Sequence, residues 1–237
     1  MSQTVAVIKG DGIGPEIMDA TLKVLEALEC GLAYEFIDAG LVALEKHGTL
    51  VPQASLDAIE KHGVALKGPL TTPIGKGFSS INVQLRRHFD LYANVRPAIS
   101  FPGTRSRYDG IDMITVRENT EGAYLSDGQE MVDDGNTGLS VIKVTRQGSE
   151  RIVRYAFELA STRRKKVTLV HKTNVLTHAG SLWSRTVDEV GAEYPDVEVG
   201  YEHIDAVTIH LVTDPQRYDV IVADNLFGWL AVHPEKA

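Results

Sequence analysis

The chain has 237 residues, of which 43% are hydrophobic and 24% charged, a composition typical of a globular protein with a substantial core. Its formal net charge of −8 at pH 7 argues against nucleic acid as a partner, because phosphate binding needs a basic face. One cysteine excludes an internal disulfide, and the absence of a signal-like start or a membrane-length apolar run predicts a cytoplasmic protein without a membrane partner.

The first third of the chain alternates strand-like and helix-like patterns. Residues 5–8 predict a buried strand, and the glycines that follow predict a tight turn into a helix with Pro15 in its first turn. The glycine spacing differs from the dinucleotide-binding fingerprint, so we interpret it as a strand-to-helix turn, although a ligand could still approach its backbone. Further strands are predicted at 34–37 and 64–66, with a helix at 56–62.

The same alternation continues in the second half. Strands are predicted at 113–116, 166–170 and 220–222, and helices at 150–162 and 181–190. This order is typical of an α/β protein whose sheets are covered by helices. Residues 127–145 break the pattern, because a Gly- and Asp-rich stretch leads into an alternating segment; we interpret this excursion as a β-arm used for dimerisation.

Polar and basic residues follow several of these elements. If a helix begins near position 79, Ser80, Asn82 and Arg86 fall within two turns of it. Arg96 and Arg117 each follow an apolar stretch. Three arginines in such places suit a polycarboxylate ligand, since guanidinium pairs bidentately with carboxylate. Separate surface salt bridges explain the spacing equally well.

Lys172 follows a predicted buried strand. Burial or cationic neighbours there could lower its pKa and allow proton transfer. A lysine whose ammonium reaches solvent is the commoner case, so both interpretations stay open.

Four motifs together resemble one protein family, the β-decarboxylating dehydrogenases that act on isocitrate, isopropylmalate or homoisocitrate. They are Gly-Asp-Gly-Ile-Gly-Pro-Glu at 10–16, Leu-Tyr-Ala-Asn-Val-Arg-Pro at 91–97, Arg-Glu-Asn-Thr-Glu-Gly at 117–122 and Asn-Leu-Phe-Gly at 225–228. The resemblance covers residues 4 to 228. Ser80 and Asn82 are similar to the isocitrate-type pattern, whereas isopropylmalate enzymes carry apolar residues in this region.

The resemblance implies an isopropylmalate-dehydrogenase-like α/β fold. Residues 1–92 would form the N-terminal part of a large domain whose C-terminal part is absent, and 93–237 a smaller α/β domain with a dimerisation clasp at about 125–145. The chain would form a homodimer with a shared active site. It would oxidise and decarboxylate isocitrate to 2-oxoglutarate, with NAD favoured and NADP as the alternative, and with Mg²⁺ or Mn²⁺.

The same resemblance assigns roles to individual residues. Tyr124 would protonate the substrate after carbon dioxide leaves, and Lys172, acting from the neighbouring subunit, would transfer the proton of the C2 hydroxyl. Asp205, also from the neighbour, would bind the metal. Ser80, Asn82, Arg86, Arg96 and Arg117 would bind the substrate, and Thr72 and Asn174 would lie near the cofactor.

The sequence departs from the family after Gly228. The family carries an Asp at the next position and a second Asp four residues later, both in the metal site, whereas here Trp229 and His233 stand there. The segment that surrounds the adenine ribose in the family is not part of this sequence, so we expect a C-terminally truncated chain with an unrelated tail at 229–237. A catalytically inactive fragment that only dimerises or binds tricarboxylates is therefore an alternative, as is a homoisocitrate or isopropylmalate dehydrogenase.

Overall fold

The computed structural model describes residues 3–71, 80–125 and 127–232, and the chain divides into two units, Met1–Phe89 and Asp90–Ala237. The division lies close to the boundary at 92/93 that the sequence predicts. We call these the N-terminal and the C-terminal unit.

The N-terminal unit is built on a parallel three-stranded sheet of order β2-β1-β3. Its strands are β1 (Gln3–Ile8), β2 (Leu32–Phe36) and β3 (Ala65–Lys67); its helices are α1 (Gly14–Ala27), α2 (Leu41–His47), α3 (Gln53–His62) and α4 (Ile81–His88). Apolar side chains of α1 pack on β1 and β2, since Met18 and Val7 belong to one buried cluster. A second cluster holds α2, α3 and α4 together around Leu50, Ile81 and Leu85.

The glycine-rich turn between β1 and α1 is packed against its own chain. A Cβ on Gly10 would lie 2.2 Å from the carbonyl oxygen of Pro69, so only glycine allows this approach. The buried carboxylate of Asp11 accepts hydrogen bonds from the backbone N–H groups of Leu41 (3.1 Å) and Thr71 (2.8 Å). These contacts confirm that the turn connects a strand to a helix and ties together three segments of the unit.

The C-terminal unit contains a five-stranded sheet of order β4-β5-β10-β8-β9, in which only β4 is antiparallel to its neighbour. The strands of the unit are β4 (Ala93–Ile99), β5 (Asp112–Glu118), β6 (Glu130–Val132), β7 (Thr137–Leu139), β8 (Lys166–His171), β9 (Glu198–His203) and β10 (Val220–Ala223). Its helices are α5 (Arg146–Ser161), α6 (Thr177–Gly191), α7 (Ile204–Thr213) and α8 (Asn225–Val232), with short 3₁₀ turns at Asp133–Gly135 and Pro215–Arg217.

Helices cover both faces of this sheet, because side chains alternate between the faces along each strand. On β10, Val220 and Val222 pack with α5 and α6, whereas Ile221 and Ala223 pack with α7 and α8. This sandwich of helix, sheet and helix layers confirms the α/β fold that the sequence predicts.

The predicted β-arm is smaller than expected. β6 and β7 form a two-stranded antiparallel hairpin, but the alternating segment after Leu139 is not a strand. Only Lys143 makes a β-bridge there, with Gly122. The alternation of apolar and polar residues therefore did not predict strand pairing here, because residues 140–142 have no neighbouring strand in the described chain.

Within the ranges that the structure describes, no helix has the length and apolar character needed to cross a membrane.

Candidate active site at the carboxyl edge of the C-terminal sheet

Arg117 lies at the carboxyl end of β5, beside the end of the neighbouring strand β10. Its register partner on β10 is Ala223, so α8, which follows β10, begins next to the guanidinium group. Arg117 is only 7% exposed, and its Nε and Nη2 atoms donate to Oδ1 of Asn225 at 3.1 and 2.6 Å. Asn225 is itself buried. The fold thus holds one edge of a buried guanidinium against a neutral amide.

Tyr124 lies on the same guanidinium. The Arg117 Cζ atom is 5.3 Å from the centroid of the tyrosine ring, within cation–π distance. Tyr124 is 45% exposed, so it also faces solvent. The structure therefore brings together two residues, Arg117 and Tyr124, to which the family resemblance assigns substrate binding and proton transfer.

The turn between these two residues is held by Glu118. Its buried carboxylate accepts hydrogen bonds from the backbone N–H groups of Thr120 and Glu121, both at 2.8 Å, and from the Thr120 hydroxyl at 2.6 Å. Gly122 follows with a φ of +82°, which other residues rarely adopt. The Arg-Glu-Asn-Thr-Glu-Gly motif thus encodes the turn that carries the chain from Arg117 to Tyr124.

Lys172 and Asp205 form a second pair at the same edge of the sheet. Lys172 follows β8 and Asp205 lies in the first turn of α7, which follows the adjacent parallel strand β9. The lysine Nζ donates to Oδ1 of Asp205 at 2.7 Å. This hydrogen bond holds the pKa of the Asp205 carboxyl below its ordinary value, with a smaller contribution from the backbone of the helix start.

Two histidines flank this ion pair. His171 and His203 are register partners on β8 and β9, with ring centroids 4.8 Å apart. Burial lowers the pKa of His171, and the neighbouring His203 lowers it further. The surroundings of the Lys172–Asp205 pair therefore disfavour additional positive charge on His171.

A small cavity lies behind Lys172, between β8, α6 and the start of α8. Its volume is about 10 Å³, and its lining includes His171, Lys172, Trp183 and Asp224. Asp224 accepts a hydrogen bond from the Phe227 backbone N–H at 2.8 Å, and burial raises its pKa to about 6. Asp224 was not predicted from the sequence, because nothing in the neighbouring residues indicates that this carboxyl is desolvated.

The N-terminal unit carries the remaining polar residues. Ser80 is the residue immediately before α4, Asn82 lies in its first turn and Arg86 in its last turn. The predicted helix is therefore confirmed, with a start slightly later than expected. Burial lowers the pKa of Lys67, and the positive charge of Arg86 adds to this effect, so two cations lie near each other in this unit.

The structure does not place the remaining predicted residues beside the Arg117–Tyr124 or the Lys172–Asp205 pair. Arg96 lies in the middle of β4, exposed, with Nε donating to Oδ1 of Asn94 at 3.0 Å; the expectation that it stands at the end of an apolar element was wrong, because the strand continues through Pro97 to Ile99. Asn174 is exposed in the turn between β8 and α6. Thr72 lies outside the described residues, as does His233.

The described residues of one chain do not fit a divalent metal ion on their own. Across residues 3–71, 80–125 and 127–232, no three His, Cys, Asp or Glu side chains come together as a metal-binding group. Asp205 offers a single carboxylate, engaged by Lys172, and Trp229 on α8 has an indole that can donate a hydrogen bond but cannot bind a metal ion.

The glycine turn before α1 does not fit a dinucleotide pyrophosphate, because its backbone is packed on residues 68–71.

Comparison with known proteins identifies the family. The family described as isocitrate/isopropylmalate dehydrogenase matches residues 4–231. The chain is 48% identical over 231 residues to the 3-isopropylmalate dehydrogenase of Nocardia farcinica, covering 94% of this chain and 69% of that protein. It is 40% identical over 228 residues to the probable mitochondrial isocitrate dehydrogenase (NAD) subunit alpha of Drosophila melanogaster, covering 96% of this chain and 60% of the relative.

A solved structure agrees with these relatives. The crystal structure of isocitrate dehydrogenase from Methylococcus capsulatus superimposes with a TM-score of 0.92 at 46% identity, over 99% of this chain and 70% of that one. The fold and the sequence motifs therefore lead to the same conclusion: the chain belongs to the isocitrate/isopropylmalate dehydrogenase family.

Proposed function

We propose that the chain acts in the oxidative decarboxylation of isocitrate to 2-oxoglutarate, with NAD or NADP as the hydride acceptor. The observation that carries the proposal is the arrangement of the carboxyl edge of the C-terminal sheet. Four side chains to which the resemblance assigns roles follow three parallel strands at this edge. Arg117 and Tyr124 form one pair, and Lys172 and Asp205 form the other. The carboxyl edge is also where α/β folds bind their ligands.

The choice of isocitrate rests on the start of α4. Ser80 and Asn82 are polar and only partly buried, whereas Ile81 between them is fully buried in the unit's core. A polar pair suits an additional substrate carboxylate better than an apolar side chain. The competing substrate is 3-isopropylmalate, which the 48% identity to the Nocardia farcinica enzyme favours.

Each residue would have a defined task in this reaction. Arg86, Arg96 and Arg117 would bind the substrate carboxylates, as the family resemblance implies. Lys172 would take the proton of the C2 hydroxyl as the hydride leaves C2 for the nicotinamide, near which Thr72 and Asn174 would lie. After carbon dioxide departs from C3, Tyr124 would supply the proton to that carbon.

The active site would be shared between two copies of the chain. In the sheet, β8 is separated from β5 by one strand, which puts their ends about 10 Å apart. The two pairs therefore lie at separate places along this edge, and the family resemblance implies that Lys172 and Asp205 serve the partner's substrate. By the same resemblance, Asp205 would contribute one carboxylate to a Mg²⁺ or Mn²⁺ ion. We also propose a cytoplasmic location.

The test is reduction of NAD or NADP by the purified full chain with Mn²⁺ and either isocitrate or 3-isopropylmalate. Two variants accompany the wild type: Lys172→Met removes the proposed proton acceptor, and Lys23→Met alters an exposed lysine of α1 as the matched control. We expect turnover of isocitrate in the wild type and in Lys23→Met, and a loss of about a hundredfold or more in Lys172→Met.

If the chain turns over 3-isopropylmalate but not isocitrate, the proposed substrate is wrong and the proposed type of reaction stands. Reduction with neither substrate would overturn the proposal for this chain and support the inactive alternative. Equal rates in the two lysine variants would refute the role of Lys172.

A further inference from the structure

Asn225 contacts Arg117 through one oxygen atom and is almost inaccessible to solvent. It is 2% exposed, and its Oδ1 accepts both the Nε–H and an Nη2–H of the guanidinium. The two residues are 108 positions apart in sequence, so this contact joins β5 to the first residue of α8. Two hydrogen bonds to one edge fix the plane of the guanidinium as well as its position.

The other end of the amide is fixed as well. Nδ2 of Asn225 donates to the backbone oxygen of Glu121 at 3.1 Å. A backbone oxygen only accepts and a guanidinium only donates, so a single orientation of the amide satisfies both neighbours. Asn225 therefore cannot rotate its oxygen away from Arg117 without leaving a buried group unsatisfied.

Gly228 completes the support of the arginine. A Cβ at this position would lie 2.6 Å from Cγ and 2.7 Å from Cβ of Arg117, so the absence of a side chain lets the first turn of α8 rest on the arginine stem. The Tyr124 ring lies on the guanidinium itself. Contacts from Asn225, Gly228 and Tyr124 thus restrict a side chain that is otherwise among the most flexible.

We propose that Asn225 is a positioning residue, which orients the Arg117 guanidinium for a ligand carboxylate without touching the ligand. This inference rests on the proposed function, in which Arg117 binds the substrate. Its physical basis is that bidentate pairing with a carboxylate requires a guanidinium of fixed orientation, and a preset orientation removes the entropy cost of fixing it on binding. Because the amide is neutral, it orients Arg117 without adding a negative charge that would repel the ligand carboxylate.

The test uses the full chain with two substitutions at this position and one control. Asn225→Leu keeps the approximate volume and removes both polar atoms. Asn225→Asp keeps an oxygen that can accept from Arg117. Gln53→Leu makes the same change from an amide to an apolar side chain at an exposed glutamine, the first residue of α3.

The first measurement follows hydrogen exchange of the Arg117 Nε–H by NMR, which needs no activity. In the wild type we expect exchange at least about tenfold slower than at the exposed Arg87, because the group is buried and hydrogen-bonded. Asn225→Leu should lose this protection, while Asn225→Asp and Gln53→Leu should retain it.

The second measurement is the affinity for isocitrate by calorimetry. We expect a decrease of about tenfold or more in Asn225→Leu, and no change in Gln53→Leu. Fast exchange of Nε–H in the folded wild type, or unchanged protection in Asn225→Leu, would overturn the positioning role. An Asn225→Leu variant that keeps full affinity would also contradict it. A wild-type chain that binds no isocitrate would refute the proposed function alone, since the exchange measurement still decides the role of Asn225.

Discussion

At the scale of single residues, the surroundings of Asp224 disfavour the ionised form of its carboxyl. It is partly buried immediately before α8, where its side chain accepts a hydrogen bond from the Phe227 N–H. Burial raises its pKa from 3.8 to about 6, and the negative charge of Glu118 adds to the increase, while the backbone hydrogen bonds and Arg117 oppose it. The folded chain therefore favours the protonated form of this group more strongly than the unfolded chain does.

Replacement of Asp224 by asparagine is expected to stabilise the chain at neutral pH. Between pH 3.8 and about 6 the folded state holds a proton that the unfolded state has released, so the wild-type free energy of unfolding falls as pH rises through this window. The side-chain amide of the Asp224→Asn variant would keep the oxygen acceptor without ionising.

The measurement is urea unfolding of Asp224→Asn and wild type at several pH values. We expect a gain of about 1–3 kcal/mol for the variant near pH 8 that disappears near pH 4. Asp219→Asn is the control: Asp219 is buried and accepts from Arg163 at 2.9 Å, so its neutralisation should destabilise the chain by about 2 kcal/mol or more. An Asp224→Asn variant less stable than wild type near pH 8 would contradict the prediction.

The sequence singled out several residues that the structure places in contact with one another. Tyr124 and Lys172 each lie beside another predicted residue, although their catalytic roles stay predictions. Asn225 lay within a recognised motif, yet its partner could not be predicted, because the contact requires that β10 lie next to β5. Which strands are neighbours is a property of the sheet and cannot be read from spacing along the chain.

At the scale of elements, the start of α5 depends on a network centred on Glu121. Thr145 precedes the helix, and its hydroxyl accepts the Gly148 N–H at 3.0 Å as an N-cap. The Thr145 N–H donates to the Glu121 carboxylate at 2.8 Å, and the Thr145 hydroxyl donates to it as well. Gly148 lies against this carboxylate, because a Cβ there would be 2.5 Å from it.

Substitution of Gly148 by Ala is therefore expected to destabilise the chain, although Ala favours helix formation in general. The added methyl group would displace a carboxylate that two hydrogen bonds hold in place, at a cost of about 1–3 kcal/mol. Thermal and urea unfolding measure this loss. Gly200→Ala on β9 is the matched control, since its Cβ would meet only ordinary contacts at 3.5 Å and beyond, and stability should change by less than about 1 kcal/mol. Equal stability of the two variants would show that Glu121 moves aside freely.

Elements with strong periodicity were predicted well, and those without it were missed. The helix expected at 150–162 is present as Arg146–Ser161, since one apolar face packs on the sheet. By contrast α7 begins directly after β9, with no glycine or proline between them, so no local signal separates strand from helix. Apolar residues on both sides of α7 also hide its period, because Ile209 is exposed while Val207 is buried.

At the scale of the whole molecule, each unit has its own hydrophobic clusters. The C-terminal unit buries apolar side chains on both faces of its sheet, around Phe157 on one and Tyr218 on the other. The N-terminal unit has a smaller sheet of three strands, two of them at edges. Edge strands and a small core contribute little stability.

We therefore predict that residues 90–237 fold when produced alone. The isolated fragment should show a single cooperative thermal transition by circular dichroism, because both faces of its sheet are covered within the fragment. Its ¹H–¹⁵N NMR spectrum should coincide with a subset of the full-chain spectrum. Residues 1–89 produced alone are the comparison and should unfold at a lower temperature. A gradual, non-cooperative transition of the larger fragment would refute this prediction.

The strand order of the C-terminal sheet has a consequence for synthesis on the ribosome. β10 occupies the centre, between β5 and β8, yet it is the last strand of the sheet to be translated. Until it emerges, β5 and β8 lack the strand that joins them, and their apolar residues stay without their final packing partners. Nascent chains of this length offer exposed strand edges to chaperones and to one another. The edge that carries Arg117 and Lys172 can therefore form only after β10 has been synthesised and has inserted between β5 and β8.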